Sequence, residues 1–421
     1  MQSKGKVANT GAHSALCLLL AINLFNYIDR QLLAALEPDI RATFFSSSDL
    51  NAMAKTGAGL GSAFLVTYMF TAPIFGFLAD WLSRWIIIGT AVILWSLASG
   101  GSGLAGTFAI LFATRICVGI GEGGYGPTAP TILADLYPVE RRGLIMAIFC
   151  TAIPVGSALG YVIGGVIGAH WGWRWAFYCV VPPGLLLGLL CFWQQDPRAA
   201  AHYLVQRGRR RLSDYVALFR TRSYLINCIA QTLATFAMGG IGFWVSAYLR
   251  FRGQGQALGM TIFGAIVVVA GLVSTLLGGI IADRLRRRFP GSYFLVSGWG
   301  MVVAAPIFVV SLYIPFPVAW IVMFVAIFFL FLNTGPSNTV LANVSLPAVR
   351  ATAFAANILV IHALGDVQAF WLLGYIGGHT NIRTAFLFVS GIMLASGIAW
   401  LFGVQYLPVD TERVERATAA A

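Results

Sequence analysis

Charge is what this sequence has least of. Only 10% of its 421 residues are Asp, Glu, Lys or Arg, against roughly 25% in ordinary soluble domains, while 58% are hydrophobic. Apolar runs of spanning length recur from one end to the other, which excludes a water-soluble globular fold and makes this a polytopic membrane protein. Acidic groups are scarcer than basic ones: 15 Asp and Glu against 27 Lys and Arg give a formal net charge of +12. In a membrane protein such a balance reflects Lys and Arg retained on the cytoplasmic side, so no nucleic-acid partner is expected. Cysteine is sparse and unpatterned. Cys17, Cys117, Cys150, Cys179, Cys191 and Cys228 fall in or beside apolar stretches, with neither the loop placement of a disulfide framework nor the paired spacing of a zinc site. They read as small core residues, and no metal is expected.

Other signatures are missing too. Gly119-x-Gly121-x-Gly123 has no preceding strand, no Gly-Lys-Ser/Thr ending and no soluble nucleotide domain around it, which excludes an ATP-driven pump within this chain. No nucleophile and base are arranged in any soluble segment, so an enzyme is not expected. Nor is a cleavable signal: residues 1–13 are polar with Lys4 and Lys6, and the apolar stretch that follows is too long for a signal core.

What is present is a series of apolar runs. Roughly 20 apolar residues cross a bilayer as a helix, and such runs place spans near residues 14–36, 56–79, 85–105, 108–133, 144–169, 175–193, 224–248, 257–282, 294–313, 317–341, 352–376 and 384–406. A polar connection, 37–55, follows the first. Residues 196–222 form a basic linker with seven arginines, dividing an N-terminal bundle (1–195) from a C-terminal one (223–421) that ends in a short tail. Within the linker, 212–219 is amphipathic enough to lie on the inner membrane surface or to serve as a solvated connector. Connections after the even-numbered spans carry Arg84, Arg141, Arg142, the linker arginines, Arg284 to Arg288 and Arg350. Those connections and both termini are therefore expected in the cytoplasm, with the chain in a bacterial inner (plasma) membrane. The Gly-rich fifth span, with Gly156, Gly160, Gly164 and Gly165, reads as a close helix contact or a point of bending.

An internal repeat supports two halves. Gly76-x-x-x-Asp80 is echoed by Gly279-x-x-x-Asp283, 203 residues later, and Leu136-Tyr137-Pro138-Val139-Glu140-Arg141 by Ser345-Leu346-Pro347-Ala348-Val349-Arg350, 209 residues later. Two echoes at nearly one offset imply parallel six-span halves, an arrangement of secondary carriers that bind substrate near the membrane midplane. The expected fold is an all-α polytopic protein of twelve transmembrane helices in two pseudo-symmetric six-helix bundles.

The chemistry should lie where charge interrupts an apolar run. Asn26-Tyr27-Ile28-Asp29-Arg30 does so in the first span, where a lone Asp or Arg costs about 2.5–3.5 kcal/mol on translocon scales. In the fourth span Arg115 and Glu122 stand seven residues apart, on nearly one helical face. Arg30 and Glu122 are expected to pair if the two spans face one cavity. The pair is read either as a coupling device, in which an anionic headgroup competes for Arg30 while protonation of Glu122 or Asp29 releases it, or as a permanent tie between helices. Arg115 is read as part of the site or as a helix-positioning group. In the second half His362 and Asp366, four apart on the eleventh span, are read as a second proton site or as members of a satisfied interhelical hydrogen bond. Asn333, Asn338 and Asn343 line a cavity or bond helix to helix. Phe236, Phe243, Trp244 and Tyr248 make that half aromatic, so one charged and one greasy half would suit an amphipathic anion.

The residues also resemble a known family. The segments Gly76 to Asp80 and Gly279 to Arg284 resemble the cytoplasmic loop motif of the major facilitator superfamily, and Arg115-x-x-x-Gly119-x-Gly121-Glu122 its fourth-span motif. Within that superfamily Asn26 to Arg30, Gly121 to Tyr125 with Ala129-Pro130-Thr131-Ile132, Ala152 to Tyr161, and Arg350-Ala351-Thr352-Ala353 with His362 to Asp366 resemble the spinster transporters of lysolipids and sphingolipids. The likeness covers almost the whole chain, with departures at Trp81, Ser83 and Ala369-Phe370. It implies a secondary carrier, working as a monomer by alternating access. It also implies that Asp80, Arg84, Asp283, Arg284 and Arg350 form charge networks closing the cytoplasmic side; plain topology is the other reading of those arginines. Expected function is proton-coupled transport of an amphipathic, lipid-like anion, powered by a proton gradient with no cofactor. A small organic anion is the alternative substrate, and a channel or receptor the rival class.

Overall fold

A computed structural model describes residues 4–79, 81–137, 139–196, 219–346 and 350–419. Among them are twelve helices long and apolar enough to cross a membrane. They are α1 (Lys4–Phe44), α2 (Ala52–Leu78), α3 (Arg84–Gly103), α4 (Phe108–Leu136), α5 (Ile148–Trp171), α6 (Trp173–Cys191), α7 (Arg222–Phe251), α8 (Gln256–Arg286), α9 (Ser292–Tyr313), α10 (Val318–Asn343), α11 (Thr352–His379) and α12 (Ile382–Gly403). A short helix, α13 (Leu407–Ala419), follows. Turns of π-helix interrupt α2 at Gly57–Ser62 and α11 at His362–Asp366. Of the amphipathic linker segment 212–219, all but Phe219 lies outside the described residues.

The chain divides into two compact units: Met1–Leu204 with Val245–Ala265, and Val205–Trp244 with Ile266–Ala421, as far as these residues are described. In the first unit α1 packs along α5, α3 against α4 and α6, and α2 against α4; in the second α9 packs against α10 and α12. The pairing of α3 with α4 and α6 is thus repeated by α9 with α10 and α12, as the internal sequence echo requires. The first unit also takes in the end of α7 and the start of α8, a boundary that the basic linker does not mark.

Glycine decides how near these helices lie. A Cβ at Gly156 would stand 2.6 Å from the carbonyl oxygen of Leu24, and one at Gly160 2.6 Å from that of Ile28, so α5 rests directly on the backbone of α1. Gly119 does the same for α4 against α2, where a Cβ would be 2.6 Å from Phe64 O. Of the two readings of the Gly-rich span, close packing is the one the structure shows. In a membrane, where lipid supplies no hydrophobic drive between helices, such backbone approach is a main source of association.

The first span runs further than the sequence indicates. Glu-Pro-Asp at 37–39 reads as the start of a loop, yet α1 continues to Phe44 with Pro38 inside it. Pro38 has no N–H, which leaves the carbonyl of Ala34 without its helical donor; the hydroxyl of Ser246 supplies one at 2.5 Å. Glu37 is fully buried, accepts from the Thr56 hydroxyl at 2.7 Å and pairs with Arg41 at 3.1 Å. Asp39 takes Arg250 at 2.6 Å and the Gln256 amide at 2.7 Å. Partners distant in sequence therefore satisfy the groups that looked like a loop.

Gly156→Val should lower the melting temperature of the detergent-solubilised protein, since overpacking costs about 1–3 kcal/mol. Gly271→Ala, where an added Cβ meets nothing within 4 Å, should leave it unchanged.

Candidate functional site

The four ionisable residues of α1 and α4 come together in the first unit, as two separate pairs. Arg30 reaches Glu122 with both Nη2 (2.6 Å) and Nε (2.7 Å) on the same oxygen, Oε2. Asn26 stands beside the carboxylate. Its two members differ in access: the Glu122 side chain is 1% exposed and that of Arg30 21%. The Arg30 guanidinium also lies 5.2 Å from the ring of Tyr27, 5.0 Å from Phe64 and 5.2 Å from Tyr68, within reach of a cation–π attraction on three sides. The acid is sealed, whereas part of the arginine side chain is exposed.

Asp29, the adjacent residue, points elsewhere. It accepts a short hydrogen bond from Ser99 of α3, and its other oxygen is 3.9 Å from Arg115 Nη1. Arg115 donates to Ser102 at 2.6 Å and to Ser99 at 3.3 Å, with its guanidinium 5.3 Å from the ring of Phe177 in α6. Asp29 and Arg115 are both buried, so this network fastens α1, α3 and α4 together. Arg30 thus meets Glu122, and Arg115 meets Asp29 and the two serines of α3. No hydrogen bond or ion pair between Asp29 and Arg30 occurs among these contacts.

In the second unit the Nδ1 of His362 lies 2.6 Å from Asp366 Oδ2, across the π-helical turn of α11. The bond runs along one helix and not between two. Asp366 lies so close to Gly239 of α7 that a Cβ there would collide with it. Asn333 does not join this pair; its amide donates to Leu330 O at 2.5 Å and faces Met301. Asn338 donates to Thr334 O at 2.9 Å. Sequence reasoning missed a neutral network: Asn357 donates to Gln231 (2.7 Å), Gln231 to Ser337 (2.8 Å), Asn227 to Ser337 O (3.1 Å) and Trp400 to Asn227 (3.0 Å). Its only signal was Asn and Gln inside apolar runs, which does not say which of them meet.

Of the expected cytoplasmic charge network, Arg84 is buried and binds within its own unit: to Asp196 at 2.7 Å, to Asp135 at 2.7 Å and to Thr131 at 3.2 Å. It joins the ends of α3, α4 and α6, and neither acidic partner was singled out from the sequence. Asp283 accepts from the Tyr293 hydroxyl at 2.8 Å, and Arg284 is exposed. Asp80 lies outside the described residues, as does the side chain of Arg350. No group of three or more His, Cys, Asp or Glu that could hold a metal occurs among the described residues.

A major facilitator superfamily model matches residues 19–367. Protein spinster homolog 3 of Danio rerio is 33% identical over 393 residues, covering 88% of this chain and 78% of that protein. The sphingosine-1-phosphate transporter SPNS2 of Xenopus tropicalis is 32% identical, covering 94% and 82%. A bacterial homologue of the human lysosomal transporter spinster, solved in an inward-facing, unoccupied conformation, superimposes with a TM-score of 0.80 at 20% identity over 96% of this chain and 98% of that one. A D-xylose–proton symporter gives 0.76 at 17% identity over 93% and 97%. The fold is therefore that of the major facilitators, and the chain belongs to the spinster family of that superfamily. It is an integral membrane transporter and not an enzyme.

Removing one member of a buried ion pair costs about 3–5 kcal/mol, because the other charge is left uncompensated. Asp29→Ala should accordingly depress the thermal melting point strongly, while adding Arg115→Met should restore much of the loss. Equal melting of the single and double variants would show that Asp29 and Arg115 are not coupled.

Proposed function

We propose that this transporter carries an amphipathic anion of the lysophospholipid or sphingoid-phosphate class by alternating access, coupled to protons. It would act in a bacterial inner membrane with both termini cytoplasmic, without a cofactor. The observation that carries this reading is the asymmetry of the Arg30–Glu122 pair. Part of the Arg30 side chain stays exposed while its guanidinium is fixed by one buried carboxylate oxygen, so a phosphate or carboxylate headgroup that reached it would compete with Glu122 for the same cation.

The coupling follows from charge balance in low dielectric. With Glu122 ionised, Arg30 is neutralised within the protein and has little to offer a headgroup. A proton on Glu122 removes that partner, and Arg30 then needs an external anion; the two events favour each other, as linkage between sites requires. Acidification on the side to which the site is open therefore strengthens anion binding. Tyr27, Phe64 and Tyr68 around Arg30 supply an apolar wall for the part of the substrate next to its head. The naming of one relative as a sphingosine-1-phosphate transporter and of one structural neighbour as a proton symporter lends the reading support, each from a different protein.

Purified protein screened by thermal shift against lysolipids, sphingoid phosphates and small organic acids should be stabilised by the first two, and Arg30→Ala should weaken that binding by about tenfold or more, as for loss of a hydrogen bond to a charged group. Stabilisation by small acids alone would overturn the lipid assignment. In proteoliposomes an imposed proton gradient should drive uptake by the wild type, and Glu122→Gln should abolish that drive while leaving exchange intact. Undiminished gradient-driven uptake by Glu122→Gln would end the coupling mechanism.

A further inference from the structure

The pair at Arg30 is not the only place where α1 buries a carboxylate against a guanidinium. Seven residues on, Glu37 is 0% exposed and lies 3.1 Å from Arg41, which is 27% exposed. The architecture of the first pair is repeated: a sealed acid beside an arginine that reaches open space. Seven residues are two helical turns, so Arg30 and Glu37 share one face of α1, about 10 Å apart along its axis.

One helix touches both. On α2 the Thr56 hydroxyl donates to Glu37 Oε1 at 2.7 Å, while Phe64 and Tyr68 lie against Arg30. Between these contacts falls the π-helical turn Gly57–Ser62, an irregularity found frequently at functional sites and a place where a helix can change register. The second oxygen of Glu37, Oε2, is buried and makes no hydrogen bond among the described residues. Asp29 Oδ2 and Glu122 Oε1 are bare in the same way; an unbonded oxygen is costly on a buried ionised carboxylate and is relieved when a proton binds there. A carboxyl that takes up and gives back a proton needs such an oxygen.

The charged and polar groups around it are few. From its own helix come Arg41 and Asp39, from α2 Thr56, and from the end of α7 Arg250. Asp39 is turned to Arg250 and Gln256, and α5 meets this stretch of α1 with Gly164 and Gly168.

We infer that Glu37 is a second proton-binding residue of the transport cycle, on the face of α1 that carries Arg30 and at the end away from the basic connections. This rests on the proton-coupled reading above. A proton on Glu37 leaves its Thr56 bond in place, since a carboxyl still accepts, but releases Arg41; α2 then conveys the change past its π-helical turn to the aromatic rings on Arg30.

The test uses the reconstituted full chain. Glu37→Gln keeps an acceptor for Thr56 and nearly the same volume while removing titration. It should fold, with a lower melting temperature because Arg41 loses its counter-charge, and support substrate exchange, yet lose one titrating step from the pH profile of gradient-driven uptake, and Glu37→Asp should restore that step. Infrared difference spectra between acid and neutral pH should lose a protonated-carboxyl band in Glu37→Gln. Thr56→Val provides a variant that keeps the acid: without the hydroxyl that donates to Glu37, the pH at half-maximal uptake should move away from the wild-type value. A Glu37→Gln variant with wild-type pH profile and infrared band, or an unmoved midpoint in Thr56→Val, makes Glu37 a structural tie and overturns this inference alone. A wild type indifferent to the proton gradient overturns the coupled reading and this inference with it.

Discussion

Everything in the first unit depends on one constraint: a charge inside a membrane protein must find its counter-charge within the protein. Water cannot solvate the sealed Glu122 as it would on a surface, so α1 and α4 must come close enough, and in the right rotation, to put Nη2 and Nε of Arg30 on one carboxylate oxygen. The same constraint fixes Asp29 with Arg115 and the two serines of α3. Adjacent residues on α1 thus face opposite ways and serve different ends. One pair is sealed and holds three helices; the other leaves part of its arginine side chain exposed.

Such pairing requires helices nearer than ordinary side chains allow. Gly156 and Gly160 bring α5 onto the backbone of α1, and Gly119 brings α4 onto α2, so the scaffold around Arg30 is set by contacts of backbone with backbone. Rigid contacts of that kind leave little slack for a transporter that must change shape. The π-helical turns at Gly57–Ser62 and His362–Asp366 are two places where the i to i−4 ladder is relaxed, and both adjoin ionisable side chains: Glu37 through Thr56, and the His362–Asp366 pair itself.

The two units repeat one helix pairing with different chemistry inside it. The first concentrates its ionic groups where α1, α3 and α4 meet. The second carries a neutral network of Asn227, Gln231, Ser337 and Asn357, with one His–Asp bond along α11. Neutral amides can be satisfied by one another at modest cost, whereas each buried ion demands a specific partner.

Sequence alone determined the membrane class, the twelve apolar runs, the repeated halves and the pairing of Arg30 with Glu122. Each rests on local quantities: run length, echo spacing, and the expense of charge in an apolar stretch. It did not show that Glu37 and Asp39 belong to a helix, because Glu-Pro-Asp looks like a loop until Thr56, Ser246, Arg250 and Gln256 arrive to satisfy it. Nor did it show that Arg84 answers to Asp135 and Asp196, or that Asp29 turns away from its neighbour. Those partners lie tens to hundreds of residues apart, and which buried polar group meets which is decided by helix rotation and backbone approach, quantities that exist only once the bundle is packed.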